Sequence, residues 1–407
     1  MTATPLRFGL DRVLAEPQRL PRYRAIGLVT NHAARPAVAP DHPGRLALRD
    51  AGFPIVRLFG PEHGLSADAA DGAAVDDALD ALTGLPVVSL YGARMRPTAD
   101  QLDGLDAVLF DVPDVGARFY TYLWTLWHVM GACESAGLPL HVLDRPNPLG
   151  GDLSSVEGPF LEPACRSFIG EAAIPIRHGL TFGELATYWR RTTFPSLTLD
   201  VVRMAGWEGR PAWPDTGCRW VQTSPAMPHV ESAIWYPGLC LFEATNLSVG
   251  RGTPLPFTAI GAPWLDAAAI VDRLTSLALP GVQWGAGTFT PSMPPHDTEQ
   301  CHVVELHVVA SGERCGHTIR STIRPVRTAL HLLRAIRHRH PEQFAWSRYV
   351  TAANPTGANH FARLIGTTTM ASLLDLASDA AFEAAIKPLV DAPRNTSWGL
   401  EALLYPM

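Results

Sequence analysis

The densest group of residues capable of chemistry lies in the stretch AVLFDVPDVGARFYTY, at positions 107–122. Two carboxyl groups, a guanidinium and two phenols follow its apolar start, in the order Asp111, Asp114, Arg118, Tyr120 and Tyr122. Carboxyl groups act as general acids or bases, a guanidinium binds anions, and phenols donate hydrogen bonds or stack on ligands. Because folding alone does not require this density, we interpret the stretch as one wall of an active site.

Four other apolar runs, each predicted to be a strand, also end at polar or reactive residues. They are AIGLVT before Asn31 and His32, IVRLFG before Glu62 and His63, VVSLY before Arg94 and Arg96, and LHVL before Asp144, Arg145 and Asn147. If these strands and the run at 107 are parallel, with right-handed helical crossovers, their carboxyl ends meet at one sheet edge. Any single acid there is more often a helix cap or turn former, but five such strand ends favour a shared cleft.

The alternation of strand and helix patterns through about residue 150 predicts an α/β fold with a mostly parallel sheet. A chain of 407 residues exceeds the usual size of one domain, so two domains are expected. We predict a first domain at 1–205, a connecting segment at 206–240 that is rich in proline and tryptophan, and a smaller α+β domain at 241–407. Within the last, VQWGAGTFTP and HVVELHVV are predicted strands, and PVRTALHLLRAIRHRHP is a predicted helix.

Composition excludes several classes of function. The net charge of −6 and the absence of a basic stripe argue against a nucleic-acid partner, and no stretch is long and apolar enough to predict a membrane span. The six cysteines have no zinc-ligand spacing, and neither a P-loop, a dinucleotide fingerprint nor a serine-hydrolase elbow is present. We therefore expect no metal and no cofactor. The first residues do not resemble a secretory signal, which predicts a cytoplasmic protein, and the oligomeric state is left open.

A second group of reactive residues lies in LFEATNLSVGRGT, which contains Glu243, Asn246 and Arg251. The glycines on both sides of Arg251 allow backbone to approach a ligand closely, although taken alone they favour an ordinary turn. His178, in RHGLT, is a candidate proton carrier or hydrogen-bonding partner. Just after it, Thr181 and Glu184 match a capping box, which predicts the start of a helix.

Long motifs in the same order along nearly the whole chain resemble those of the exo-acting β-N-acetylmuramidases related to NamZ, glycoside hydrolase family 171. The motifs include GLVTNHA, LFGPEHG, VLFDVPDVGARFYTYLWTL, VLDRPNPLGG, IPIRHGLTFGELA and YPGLCLFEATNLSVGRGT. The resemblance implies a Rossmann-like N-terminal domain, a smaller C-terminal domain that completes the cleft, and release of terminal N-acetylmuramic acid from peptidoglycan-derived glycans. It also implies that Glu62 of PEHG, beside His63, is the acid in the cleft.

Glycosidic cleavage needs one carboxylic acid to protonate the leaving oxygen and commonly a second carboxylate as nucleophile or base. We predict that Glu62 is the acid, that Asp111 or Asp114 is the second group, and that His63 assists. The predicted substrate-binding residues are Asn31, Arg118, Tyr120, Tyr122, Arg145, Asn147, His178, Glu243, Asn246 and Arg251. N-acetylmuramic acid carries a lactyl carboxylate, which suits a two-pronged arginine, and Arg118, Arg145, Arg177 and Arg251 are the candidates.

Two alternatives remain open at this point. One is a metal-dependent hydrolase in which Asp111, Asp114, His63, His178 and Glu243 hold a divalent ion. The other is a glycan-binding protein without catalysis, in which Trp124 and Trp235 form a sugar platform. In each carbohydrate hypothesis the expected partner is a glycan or muropeptide that contains muramic acid. Because cell-wall glycans lie outside the membrane, either imported muropeptide fragments are the substrate or the substrate differs from the family's usual one.

Overall fold

A computed structural model describes residues 5–70, 72–309, 319, 322–351 and 354–406. Its larger sheet is built from β1 (Ile26–Thr30), β2 (Ile55–Gly60), β3 (Ala78–Leu79), β4 (Pro86–Ser89), β5 (Ala107–Asp111), β6 (Leu140–Leu143) and β7 (Leu199–Val202). The strands lie in the order β3, β4, β2, β1, β5, β6, β7, and all neighbours are parallel except β3 and β4. The predicted α/β class with a mostly parallel sheet is confirmed.

Helices cover both faces of this sheet. Along the first part of the chain they are α1 (Gly9–Ala15), α2 (Gly44–Asp50), α3 (Ala99–Leu102), α4 (Thr121–Ala136) and α5 (Phe182–Thr192). Successive strand residues point to opposite faces, so Leu28 packs in the cluster that contains Leu10 of α1, whereas Val29 packs in the cluster that contains Leu123 of α4. Two-sided burial explains why the central strands β1 and β5 are buried along their whole length and are almost entirely apolar.

Local signals set two of the helix ends. Gly137, with φ of 66°, ends α4 in the left-handed conformation that glycine adopts easily. At α5 the predicted capping box is present, because the Thr181 hydroxyl accepts the Glu184 backbone N–H at 3.1 Å and the Glu184 carboxylate accepts the Thr181 N–H at 3.0 Å.

The second part of the chain forms a smaller antiparallel sheet with helices around it. The elements are α6 (Val230–Leu239), β8 (Ala259–Ala262), α7 (Ala267–Ser276), β9 (Val282–Phe289), β10 (Cys301–Val308), α8 (Pro325–Arg339), α9 (His360–Ile365), α10 (Met370–Leu373) and α11 (Asp379–Val390). The strand order is β8, β10, β9. Both predicted strands and the helix before Pro341 are present.

Helix α6 lies inside the segment that the sequence predicts to be a connection. Its residues from Ser232 to Leu239 are all buried, so no polar face alternates with an apolar one and the helical period is hidden. Pro237 within the helix obscures the pattern further. The limits proposed for the two domains remain a prediction.

The sheet brings the predicted strand ends to one edge. Strands β1, β2, β4, β5 and β6 are mutually parallel, and the register pairs Thr30 with Asp111 and Gly60 with Ser89. The residues after these strands are therefore neighbours in space, as expected. In the described part of the chain, no helix combines the length and apolar character that crossing a membrane requires.

Candidate active site

A cavity with about 700 Å³ of empty space lies beyond the carboxyl ends of β2, β4 and β5. Loops after those strands form one side of it, and residues 167–169, the stretch 224–257 and residues near α9 form the rest. Its aromatic lining residues are Tyr91, Phe119, Tyr120, Phe168, Tyr236, Phe257 and Tyr349. Aromatic rings with a few polar groups among them suit a sugar, which presents apolar ring faces and hydroxyl edges.

Glu62 reaches this cavity from a tight turn after β2. The turn is closed by a hydrogen bond from the Gly64 N–H to the Pro61 carbonyl at 3.0 Å, and His63 and Gly64 adopt positive φ. The Glu62 residue is buried, yet it lines the cavity. Its Oε1 accepts the Gly72 N–H at 3.0 Å and its Oε2 accepts the Thr121 hydroxyl at 2.5 Å. The carboxyl group is thus held from its own loop and from the first residue of α4.

His63 also lines the cavity. Its φ of 66° is a backbone conformation that residues other than glycine rarely adopt, and its Nδ1 lies 2.8 Å from the Ala69 carbonyl oxygen. Strained backbone of this kind persists where the surroundings enforce it and is frequent at functional sites. The turn places two ionisable groups, Glu62 and His63, on one cavity wall.

The second reactive group in the sequence also reaches the cavity, through Glu243 and Arg251. The Arg251 Nε donates to Glu243 Oε1 at 2.8 Å, and the guanidinium lies over the Phe257 ring, 5.0 Å from its centre. The Cys240 thiol lies 3.3 Å from Glu243 Oε2. The two side chains form a mostly buried ion pair on the cavity wall.

The two tyrosines of the 107–122 stretch are both tied to Thr223. Tyr120 donates its hydroxyl proton to the Thr223 hydroxyl, and Tyr122 donates to the Thr223 carbonyl, each at 2.8 Å. Burial raises the pKa of the Tyr122 phenol well above its ordinary value, so it remains a hydrogen-bond donor. Tyr120 lines the cavity, whereas Tyr122 lies behind it.

Asp111 and Arg145 pair with each other away from the main cavity. The guanidinium of Arg145 donates to both carboxylate oxygens of Asp111, at 2.6 and 3.1 Å, and its third nitrogen donates to the Arg35 carbonyl. Asp111 is 1% exposed, which leaves no surface for a substrate. Arg145 lines a second, smaller cavity of about 510 Å³ beyond β1, β5 and β6.

Asp114 faces that second cavity as well. Its Oδ1 accepts the Val115 N–H at 2.7 Å, and its Oδ2 lies 3.2 Å from Nε2 of the buried His178, without the alignment of a hydrogen bond. His178 Nδ1 accepts the Leu180 N–H at 3.3 Å. Neither side chain lines the main cavity, so the structure does not bring Asp114 or His178 together with Glu62.

Arg118 is buried behind the cavity and binds backbone only. Its guanidinium donates to the carbonyls of Pro159 at 2.8 Å, Ile174 at 2.9 Å and Leu364 at 2.7 Å. Removal from water lowers the pKa of this guanidinium to about 9. Arg177 is similarly placed, with its guanidinium directed at backbone carbonyls that include that of Leu149. These two arginines fasten loops together.

Three predicted binding asparagines also hold the backbone. Asn31 Oδ1 accepts the Ala33 N–H, and the side chain of Asn147 bonds the backbone of Leu149 and Leu180. The Asn246 amide bonds the backbone at Gln343 and Ala345. Of the predicted site residues, therefore, the cavity gathers Glu62, His63, Tyr120, Glu243 and Arg251, while the others do not line it.

Several cavity residues were not anticipated from the sequence. Among them is Tyr349. Shortly after it, the stretch TAANPTGANHFARLIG contributes Asn354, His360 and Arg363. The imidazole of His360 stacks on Tyr349 with ring centres 4.7 Å apart. No strand end marks this stretch; an asparagine, a histidine and an arginine within ten residues of a turn-rich segment were the available signal.

The two alternative hypotheses find little geometric support. In the described residues, no three side chains of the histidine, cysteine, aspartate or glutamate type converge as a metal site would require. Trp124 and Trp235 are 0% and 1% exposed, and the Trp124 indole donates to the Arg118 carbonyl at 2.7 Å. These tryptophans belong to the core and cannot form a sugar platform.

Comparison with known proteins adds a family and relatives. The family model described as "Exo-beta-N-acetylmuramidase NamZ, N-terminal" matches residues 26–231, and the corresponding C-terminal model matches residues 234–392. A curated relative, the "Peptidoglycan beta-N-acetylmuramidase NamZ" of Bacillus subtilis (strain 168), is 40% identical over 336 residues, which are 83% of this chain and 78% of the relative.

Two solved structures, both of DUF1343 family proteins from Bacteroides fragilis NCTC 9343, share the fold. One superposes with a TM-score of 0.83 at 27% identity, covering 98% of this chain and 99% of the other. The second gives a TM-score of 0.72 at 26% identity and covers 99% of both chains. The architecture described above is therefore shared, over 98–99% of the chain, with these two crystal structures.

Proposed function

The chain belongs to the NamZ family of exo-β-N-acetylmuramidases, and from this premise we propose that it is a glycosidase that releases terminal N-acetylmuramic acid from peptidoglycan-derived glycans. The curated relative, 40% identical, is named as a peptidoglycan β-N-acetylmuramidase. We further propose that muropeptide fragments are the substrate, and we assign a role to each cavity residue. The cytoplasmic location also stays a prediction.

The placement of Glu62 is the observation that supports the proposed mechanism. A buried carboxyl group on the wall of this aromatic-lined cavity, with both oxygens oriented by donors, is positioned to protonate a glycosidic oxygen. The Thr121 hydroxyl at 2.5 Å orients it from α4 and the Gly72 N–H at 3.0 Å orients it from the loop. Glu62 is accordingly assigned the role of general acid.

The remaining cavity residues are assigned to substrate binding. Tyr120 and Tyr236 both line the cavity, with their rings packed edge to face at 85° and with centres 5.9 Å apart, and we assign them to contact the pyranose ring. The Glu243 and Arg251 pair offers a carboxylate acceptor and guanidinium donors to sugar hydroxyls. Asp111 and Asp114, which the sequence nominated as the second carboxylate, are assigned instead to holding the loops that follow β5.

The purified protein and two chromogenic substrates test this proposal. We expect release of the chromophore from a β-N-acetylmuraminide, much slower release from the β-N-acetylglucosaminide that lacks the lactyl group, and no loss of rate with a chelator. Equal rates on the two substrates would contradict the muramic-acid assignment. Loss of activity on chelation, restored by a divalent metal, would favour the metal-dependent alternative.

A further inference from the structure

The lactyl carboxylate of the proposed substrate needs a cation on the cavity wall, and this inference rests on that proposed function. Of the four arginines that the sequence suggested, Arg118 and Arg177 donate to backbone carbonyls and Arg145 is paired with Asp111. Only two guanidinium groups in the described residues line the main cavity, those of Arg251 and Arg363. The choice is therefore between these two.

Arg251 already has an anionic partner. Its Nε donates to the Glu243 carboxylate at 2.8 Å, and the side chains are 15% and 7% exposed. A substrate carboxylate at Arg251 would meet Glu243 at close range, and two like charges at one cation repel each other. Arg251 is thus better suited to neutral sugar hydroxyls than to an anion.

Arg363 has a different environment. Its guanidinium donates to the Asn354 side-chain oxygen, which is neutral, and no carboxylate of the described residues lies within ion-pair distance of it. It is only partly buried, so part of the group faces the open cavity. A planar guanidinium with free edges binds a carboxylate through two parallel hydrogen bonds.

The helix that carries Arg363 is held firmly in place. The Leu364 carbonyl, one residue further on, accepts Arg118 Nη2 at 2.7 Å, and the Gly366 carbonyl accepts the Glu162 N–H at 2.8 Å. Gly366 ends α9 with φ of 90°, and a β-carbon there would lie 2.5 Å from the Arg118 guanidinium. Fixed backbone on one side and Asn354 on the other reduce the entropy lost when Arg363 binds an anion.

We propose that Arg363 is the specificity-determining residue of this enzyme and that it binds the lactyl carboxylate of N-acetylmuramic acid. It makes the cavity select the muramic sugar over the N-acetylglucosamine analogue, which has the same ring without the carboxylate. Asn354 positions the guanidinium and does not itself contact the anion. Catalysis at Glu62 is a separate function of the same cavity.

The test compares Arg363→Gln with Arg251→Gln as the matched control, because both remove a cavity guanidinium. For each protein, kcat/KM is measured on the chromogenic muraminide and on the glucosaminide. Loss of a charged hydrogen-bonded pair corresponds to a fall of about 10- to 100-fold in the muraminide kcat/KM of Arg363→Gln, with the glucosaminide value unchanged. Arg251→Gln is expected to affect both substrates alike, so that their ratio is preserved. A preserved ratio in Arg363→Gln would overturn the inference.

Inhibitor binding covers the case in which Arg363→Gln does not fold. The wild-type protein is expected to bind N-acetylmuramic acid at least about 10-fold more tightly than its methyl ester, and Arg363→Lys, which keeps the charge but loses the planar fork, should narrow that difference. Equal binding of acid and ester, or an undiminished difference in Arg363→Lys, would overturn the inference. If the wild-type protein hydrolyses neither chromogenic substrate, the proposed function fails, and inhibitor binding still decides the role of Arg363.

Discussion

Two segments at the same sheet edge both carry carboxylates, yet they use them differently. One follows β2 from Pro61, and the other, 111–122, runs from the last residue of β5 into the first turn of α4. The first presents Glu62 to the cavity and orients it with backbone and hydroxyl donors. The second directs Asp111 to Arg145 and Asp114 towards His178, and gives the cavity aromatic and hydroxyl groups instead. On the proposed assignment, the first segment supplies the reactive carboxyl group and the second shapes the cavity wall.

This difference explains why polarity at a strand end is an incomplete guide to catalysis. A dense polar turn has many backbone groups to satisfy, and buried carboxylates and guanidiniums are suited to satisfying them. The loop after β5 is the denser of the two, and most of its charged groups are used internally. Access to the cavity, which depends on side-chain direction, separates a reactive acid from a structural one.

Among the replacements that test this difference between the two segments, Glu62→Gln is expected to have the largest effect, a loss of catalytic rate. Removing a general acid lowers kcat by about 10²- to 10⁴-fold, while the amide oxygen can still accept a hydrogen bond and preserve the loop. Steady-state rates on the muraminide measure the fall in kcat, and a thermal melt measures whether the fold is preserved. Asp68→Asn, an exposed residue of the same loop, is the control and should keep full activity. Near-normal turnover by Glu62→Gln would remove it from the mechanism.

Replacement of Asp111 by Asn is expected to reduce stability rather than catalysis. It leaves the buried Arg145 without its ion-pair partner, which costs about 3–5 kcal/mol in the free energy of unfolding. Asp77→Asn breaks an exposed pair with Arg94 and should cost about 1 kcal/mol or less. Urea unfolding measures both. If Asp111→Asn kept its stability but lost turnover per folded molecule, the contrast between the two loops would be wrong.

Glu157, behind the loop after β5, should make stability depend on pH. Its carboxylate accepts the N–H groups of Val326 and Arg327, and burial raises its pKa from 4.5 to about 7. Because the folded state binds this proton more tightly than the unfolded state, the stabilisation is complete below pH 4.5 and is lost as the pH rises to about 7. This loss amounts to about 3 kcal/mol.

Comparing the wild-type protein with Glu157→Gln separates the contribution of Glu157 to the pH dependence of stability from that of other titrating groups. The difference in unfolding free energy between wild type and variant should shift by about 3 kcal/mol in favour of the variant between pH 4.5 and pH 7.5. Denaturant unfolding at the two pH values measures the shift. A difference that is the same at both values would show that Glu157 has an ordinary affinity for its proton.

The smallest expected effects are those of replacing the two tyrosines that bond Thr223, and a change in KM should distinguish one from the other. Replacement of either by Phe removes one hydrogen bond, worth about 1 kcal/mol of stability. Only Tyr120 lines the cavity, so Tyr120→Phe should also raise KM by a few fold, whereas Tyr122→Phe should leave KM unchanged. Equal changes in KM for both variants would contradict a separate role for the Tyr120 hydroxyl at the cavity.

The fold could be predicted because its signals are local. Apolar runs, the capping box at Thr181 and the glycine at 137 each specify an element from a few neighbouring residues, and the parallel arrangement follows from their alternation. Helix α6 was missed because complete burial erases the amphipathic period, and β3, with two residues, is too short for a pattern.

The candidate site was only partly predictable. Glu62 and Tyr120 stand beside strand ends that mark them, but whether a side chain turns to the cavity or to a buried partner depends on residues far away in the chain. Asp111 turns away from the cavity because it pairs with Arg145, which lies 34 positions later in the chain. Arg363 reaches the cavity from a short helix, so no strand end marks it in the sequence. Such pairings are set by tertiary packing, which the sequence pattern does not record.

The contact between Arg118 and Leu364 has a consequence for the order in which the protein assembles. The two residues are 246 positions apart, so this part of the cavity wall is a contact of very long range. During synthesis, the parallel sheet can form long before Leu364 exists, but Arg118 then lacks one of its three carbonyl partners and α9 has not been made. The proposed general acid is encoded early in the chain, and the pocket that would select its substrate closes only near the end of synthesis.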